Sequence, residues 1–219
     1  MASLKLSNLL HDITLAVQEF NLDYDCFAKG QLESKEWAVE IMNDYQHYKS
    51  INFGTVFILC GWYGILPAMM FSKGLLLDKI RSFDIDDKCW KIADQINKTS
   101  SSDDWRFKAI TEDIFKISFS GHTWQVWSNA NNRMCYPITD VADTIINTSC
   151  EHTEPDWFKN IPRQKLVILQ SNDFWEGEGH INCVNDLDEF KQMFPVKDIF
   201  YEGKLNCEKY TRFMIIGMT

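Results

Sequence analysis

Residues 55–59 read TVFIL, apolar on both faces of an extended chain, and the next five, CGWYG, break the run at Gly61 and Gly64. A strand apolar on both faces belongs inside a parallel sheet, where helices cover each side and no face meets water. Short β-rich runs recur at KIRSFD (79–84), WRFKAIT (105–111), DTIINTS (143–149) and KLVILQS (165–171). Helical patterns lie between several of them. Pro67 suits the first turn of a helix through AMMFSKGLL. DDKCWKIADQIN puts Cys89, Ile92, Ala93 and Ile96 on one face, and DLDEFKQMF does the same with Leu187, Phe190 and Phe194. This alternation predicts an α/β fold, a mainly parallel sheet with helices on both faces. The ending differs: KDIFYEG (197–203) and YTRFMIIGM (210–218) are separated only by KLNCEK. That connection is too short for a parallel crossover, so the last two strands are expected to form an antiparallel hairpin and bring the total to seven.

Residues 1–50 read as helical. Leu6, Leu9, Leu10, Ile13, Val17 and Phe20 fall at helical spacing, and SKEWAVEIMNDYQHY opens at Ser34, an expected N-cap, with Trp37, Ile41, Tyr45 and Tyr48 along one side. The expected division is an N-terminal helical cap, 1–50, and an α/β domain, 51–219. The stretch 115–142 is read as a small hairpin or covering loop, or as hiding a further helix. Net charge is −9 with no Lys/Arg cluster, which argues against nucleic acid as a partner. No apolar run reaches the roughly 18 residues of a membrane span. Seven cysteines, odd in number and without a CxxC pair, argue for reduced thiols rather than disulfides or structural zinc. With no signal-peptide pattern at the start, a cytoplasmic protein is expected.

In open parallel sheets, ligands bind beyond the carboxyl ends of the strands. The first strand ends in Cys60, Gly61, Trp62, Tyr63 and Gly64, where glycine permits close backbone approach by a cofactor or simply a tight turn. The second ends at Asp84, 23 positions after Gly61 and well placed for both hydroxyls of a ribose; the alternative is an N-cap role, which Asp86 could fill instead. The third is followed by Glu112 and Asp113, able to accept from an adenine amino group or to remain a solvated pair.

The order of these features resembles a class I S-adenosylmethionine-dependent methyltransferase, with a Rossmann-like sheet. A Gly-containing turn follows the first strand, FDID resembles the family's DID at the end of the second, an acid follows the third, and the last strand is inserted antiparallel. The resemblance spans roughly residues 51–219 and leaves the N-terminal helices to cap the substrate site. It implies S-adenosylmethionine as cofactor, contacted by Gly61, Trp62, Gly64, Asp84, Ile85, Glu112, Asp113 and Asn147. Gly61 and Gly64 would face the amino-acid portion, Asp84 the ribose, and Asp113 or Glu112 the adenine. The chain departs from the family at Leu59, where an acid is usual, and at Trp62 or Tyr63, where the middle glycine would stand. The cofactor's amino group then falls to another residue, with the N-terminal helices as the expected source.

In this family the segment after the fourth strand faces the transferring methyl group. Here it reads INTSCEHTEPDW, the densest polar cluster of the chain. Asn147 is the candidate to orient a substrate, and Glu151 or His152 to remove its proton. The alternative is a capped helix start, with Ser149 or Thr148 as cap. Cys150 reads as a buried thiol rather than a nucleophile. After the fifth strand, Ser171, Asn172 and Asp173 would lie beside this cluster, Phe174 and Trp175 would wall a pocket, and His180 would approach Glu151 and His152. Two histidines and a carboxylate suit a metal, but their spacing fits no local motif, and no metal site is expected. The leading function is methyl transfer to a small polar metabolite. The alternatives are an NAD(P)-dependent oxidoreductase, although GxGxxG is missing, an enzyme that cleaves S-adenosylmethionine, and a non-catalytic scaffold.

Overall fold

The computed structural model describes residues 6–101, 105–125, 127–128 and 133–219. Seven strands form one sheet: β1 (Thr55–Leu59), β2 (Lys79–Asp84), β3 (Phe107–Thr111), β4 (Thr144–Asn147), β5 (Leu166–Asn172), β6 (Asp198–Asn206) and β7 (Thr211–Met218), in the order β6-β7-β5-β4-β1-β2-β3. Strands β1 to β5 run parallel, while β7 runs antiparallel to both β5 and β6. All seven fall on the runs that alternation marks out, and the terminal hairpin has the expected sense.

Every residue of β1 is buried, and its side chains divide between two cores. Phe57 and Leu59 pack with Phe83, Ile145, Leu169, Phe190 and Phe213 on one face. Val56 and Ile58 pack with Met42, Met70, Ile80, Ile146 and Ile168 on the other. This period of two on a doubly covered strand is why TVFIL carries no polar face. Each such side chain contributes about 1.5–3 kcal/mol by leaving water.

Among the described residues, five helices longer than one turn flank the sheet: α1 (Leu6–Glu19), α2 (Lys29–Lys49), α3 (Ile65–Lys73), α4 (Cys89–Ile96) and α5 (Leu187–Met193). Helix α2 packs on α3 and joins the core beneath β1, and α1 packs on α4. Helix α5 and the 3-10 turn Pro155–Asn160 help cover the opposite face. Ser34 is not an N-cap. It lies buried inside α2, its hydroxyl donating to the Gln31 carbonyl at 2.9 Å, because the helix already starts at Lys29 after the 3-10 turn Tyr24–Phe27. The buried side of α2 is Ser34, Ala38, Val39, Met42 and Gln46. Trp37 and Tyr45 turn toward β6 instead, where Trp37 Nε1 donates to the Tyr201 hydroxyl and Tyr45 stacks on Phe200, while Tyr48 is 79% exposed. In α1, Leu6 and Leu10 are exposed, and Asp12 is buried, accepting from the Thr99 N–H and hydroxyl.

Within 115–142 a two-stranded ribbon pairs His122–Trp124 with Ile138–Asp140, and a second pairs Trp127–Ser128 with Arg133–Met134. The Asp140 carboxylate accepts from Arg81 Nε at 2.6 Å and Trp124 Nε1 at 2.9 Å, tying the first ribbon to β2. Residues 126 and 129–132 of this stretch, and 1–5 of the N-terminal one, lie outside the described residues. Among the described residues no helix is long and apolar enough to cross a membrane.

Candidate active site

Strand β1 stands where the winding of the sheet reverses, between β2 and β4, and such a switch point opens a crevice at the carboxyl ends. A cleft of about 1130 Å³ lies there. Its floor begins with the turn after β1, in which Cys60, Trp62 and Gly64 have φ of 51°, 46° and 71°. Two of these are not glycine, and left-handed backbone at such residues costs on the order of 1–3 kcal/mol each unless the surroundings enforce it. Asp84 does so: its Oδ2 accepts from the Trp62 N–H at 2.8 Å, while Oδ1 accepts from the Asp86 N–H at 3.0 Å.

The two glycines answer to the protein itself. A Cβ at Gly61 would overlap the Ser82 hydroxyl, and one at Gly64 would lie 2.7 Å from Asn97 Nδ2, which donates to the Gly64 carbonyl at 2.9 Å. Gly61, Trp62 and Cys60 line the cleft; Gly64 does not, because it is pressed against α4, and the expected cofactor contact at Gly64 is corrected. The bulk at position 62 is partly packed away, with the indole stacked on Tyr63 and joined to the cluster holding Ile65 and Ala68.

Asp84, Ile85, Asp113, Ile114 and Phe115 line one end of the cleft. Ile85 is 72% exposed, an apolar surface offered to a ligand. Burial raises the Asp84 pKa, and the N–H groups of Asp86 and Trp62 only partly oppose it. Asp113 Oδ1 accepts from the Phe115 N–H at 3.0 Å, starting a 3-10 turn that carries Phe115 over the rim. Glu112 leaves the cleft and faces His122 at 4.0 Å, so of the two adjacent acids only Asp113 reaches the cleft.

The fourth-strand cluster is arranged differently from expectation. Asn147 is 0% exposed, its Oδ1 accepting from the Ser149 N–H, and Glu151 is 1% exposed. Neither lines the cleft, because the 3-10 turn Cys150–His152 folds over the end of β4. Glu151 Oε1 accepts from Asn172 Nδ2 at 2.6 Å and from Arg212 Nη2 at 3.2 Å, and Arg212 Nη1 donates to the Thr148 carbonyl at 2.7 Å. Direct roles for Asn147 and Glu151 on an organic substrate are therefore corrected, and His152 alone of the three lines the cleft. Ser149 makes no side-chain cap, so a capped helix start is not what the cluster builds. Cys150 is buried and its thiol is pushed well up by that burial, which removes it as a nucleophile. From the loop after β5, Phe174 and His180 line the cleft, whereas Trp175 is 52% exposed outside it.

Sequence reasoning missed Lys35, Arg212, Asp23 and Asp25, all of which line the cleft. Lys35 Nζ donates to the Gln31 side-chain oxygen at 2.7 Å. Burial, reinforced by the Arg212 charge and opposed by Glu151, pulls its pKa down to about 7. Arg212 keeps its charge: burial opposes it most strongly, but Glu151, Tyr210 and Cys207 together outweigh that burial and the pKa is raised. The available signals were a lysine beside Ser34 on the inner side of a helix and an arginine opening the apolar run of β7.

No protein-family model and no curated protein sequence matches the chain. Solved structures do match in shape. Magnesium protoporphyrin IX methyltransferase (ChlM) from Synechocystis PCC 6803, with bound SAM, superposes with a TM-score of 0.60 at 10% identity, covering 100% of this chain and 99% of its own. N-methyltransferase NodS from Bradyrhizobium japonicum WM9 gives 0.58 at 9% identity, covering 85% of this chain and 97% of its own. The small RNA methyltransferase HEN1 gives 0.59 at 12% identity, covering 91% of this chain and 27% of its own. Strand order, antiparallel ending and these superpositions agree: the chain has the fold of the class I S-adenosylmethionine-dependent methyltransferases.

Proposed function

We propose that this protein binds S-adenosylmethionine in the cleft and transfers its methyl group to a small polar acceptor. The observation that carries the reading is Asp84, a carboxylate at the end of β2 that lines the cleft while holding the Trp62 turn, with Ile85, Asp113 and Phe115 beside it. Asp84 accepts from the ribose hydroxyls, Asp113 from the adenine amino group, and Ile85 and Phe115 cover the faces of the base. Leu59 stands where the family carries an acid, and Asp25, presented by the 3-10 turn ahead of α2, supplies the carboxylate for the cofactor's amino group.

When bound, the cofactor supplies an electrophilic methyl on sulfonium. The protein's part is largely geometric: to align acceptor, methyl and sulfur and keep water out. The 3-10 turn at Tyr24–Phe27, the start of α2, the loop through Phe174 and His180, and residues 207–210 enclose the acceptor side of the cleft. This enclosure and the net charge of −9 favour a small acceptor over a polymer. Lys35, with its pKa near 7, is partly neutral at physiological pH and takes the proton the acceptor loses. A cleft that holds such an amine also speaks against a scaffold.

Calorimetric titration with S-adenosylmethionine, S-adenosylhomocysteine and NAD tests the reading. Saturable heat from the two sulfur nucleosides and none from NAD is expected. Heat from NAD alone would make the protein an oxidoreductase, and no heat from any of the three would leave a scaffold.

A further inference from the structure

Glu151, His152 and His180 offer one ligand atom each, all within 4.8 Å of one another. Their surroundings prepare them to hold a cation. His152 Nδ1 lies 3.1 Å from the Gly179 carbonyl, and His180 Nδ1 lies 2.6 Å from the Phe174 carbonyl. A carbonyl only accepts, so each Nδ1 carries the proton and each Nε2 keeps its lone pair. Imidazoles that bind metals are oriented in this way by a backbone carbonyl behind them. The rings meet edge to face with centroids 4.6 Å apart.

The loop sequence EGEGH fits the same arrangement. A Cβ at Gly177 would sit 2.5 Å from the His180 ring, and Gly179, at φ 71°, brings its backbone against His152. Glu151 completes the set. Asn172 and Arg212 engage Oε1, while Oε2 is buried with no hydrogen-bond partner among the described residues. An unpartnered buried carboxylate oxygen is costly, and a cation would satisfy it.

We infer that Glu151, His152 and His180 bind a divalent first-row transition-metal ion at the acceptor side of the cleft. Two imidazoles and one carboxylate suit such an ion better than calcium or magnesium. Three protein ligands leave coordination positions open toward the cleft, where His152 and His180 form the wall. Ligands around an ion with bonds near 2.1 Å lie about 3 Å apart, so the three side chains close by roughly an ångström on binding. Resting on the methyl-transfer reading, the site also names the acceptor class: a hydroxyl compound. The ion binds the acceptor oxygen and lowers its pKa. The O–H proton passes to the Lys35 amine, the oxygen bonds to the methyl carbon, and the carbon–sulfur pair leaves with sulfur. Glu151, silent as a base toward organic substrate, thereby has a role.

Chelator-treated protein is titrated calorimetrically with Mn²⁺, which thiols hold poorly, and with Co²⁺. One ion per chain is expected from at least one of the two metals. His152→Ala, on an exposed side chain, and His180→Ala should each weaken binding at least about tenfold. S-adenosylhomocysteine affinity and melting temperature, measured on the same samples, report cofactor site and fold. Absence of saturable one-to-one binding of either ion to the unaltered protein overturns the proposal. So does His152→Ala binding both ions as tightly as the unaltered chain does. Metal binding without nucleoside binding would sink the methyl-transfer reading and leave the site standing; nucleoside binding without metal would do the reverse.

Discussion

Replacing Lys35 by Met removes an amine whose charged form the fold disfavours. Its pKa falls from an ordinary 10.5 to about 7, chiefly through burial. Between those values the unfolded chain holds a proton that the native chain has released, so this group makes native stability rise with pH across that window. Below pH 7 the full difference of 3.5 units acts against folding, about 5 kcal/mol at 1.36 kcal/mol per unit. At pH 9 only the interval up to 10.5 remains, about 2 kcal/mol. Water in the open cleft screens the charge, so about half of the 3 kcal/mol difference is expected in practice, 1–2 kcal/mol. Urea unfolding of both proteins at pH 6 and pH 9 measures it. Lys35→Met should gain 1–2 kcal/mol more, relative to the unaltered chain, at pH 6 than at pH 9. The same variant should lose about 10²-fold or more in methyl transfer with nucleoside affinity little changed. An identical stability difference at both pH values would show that Lys35 is not desolvated, and the argument for it as proton acceptor would fail.

Asp84→Ala should weaken S-adenosylhomocysteine binding by about 1–3 kcal/mol and lower the melting temperature, since the Trp62 and Asp86 N–H groups lose their acceptor; unchanged affinity in a folded variant would free Asp84 from its ribose role. Gly61→Ala should cost about 1–3 kcal/mol of stability through overlap with the Ser82 hydroxyl, and less in a Ser82→Ala background, a coupling that a double-mutant cycle of denaturation measurements reads directly. Glu151→Gln leaves the buried Arg212 guanidinium without its counter-charge and should destabilise by about 3–5 kcal/mol in thermal or urea unfolding; a loss under 1 kcal/mol would mean that Arg212 reaches water.

The sheet was legible because its central strands are short, buried on both faces and punctuated, and because KLNCEK between the last two is too short for anything but a hairpin. Asp84 and Asp113 were legible for a related reason: residues that end parallel strands must emerge at one rim. What escaped depends on distant partners. Asn147 and Glu151 look like exposed chemistry beside an apolar strand, yet Glu151 is drawn inward by Arg212, 61 positions away. Glycine at 64 reports close approach correctly, but the approaching atom belongs to Asn97 rather than to a ligand. The start of α2 follows Ala28, which makes no side-chain cap, so Ser34 was the stronger local signal for the wrong position. Lys35 becomes chemically interesting only when α2 is laid beside Arg212, a placement that no spacing within either segment announces.

The central claim is that a nucleoside lies over the carboxyl ends of β1 and β2. A crystal grown with S-adenosylhomocysteine tests it most directly. Ribose hydroxyls are expected within hydrogen-bond distance of the Asp84 carboxylate, with adenine beside Asp113 and Phe115 and the homocysteine tail crossing Gly61 toward Asp25. The ligand elsewhere, or the Trp62 indole filling the place of the ribose, would contradict it.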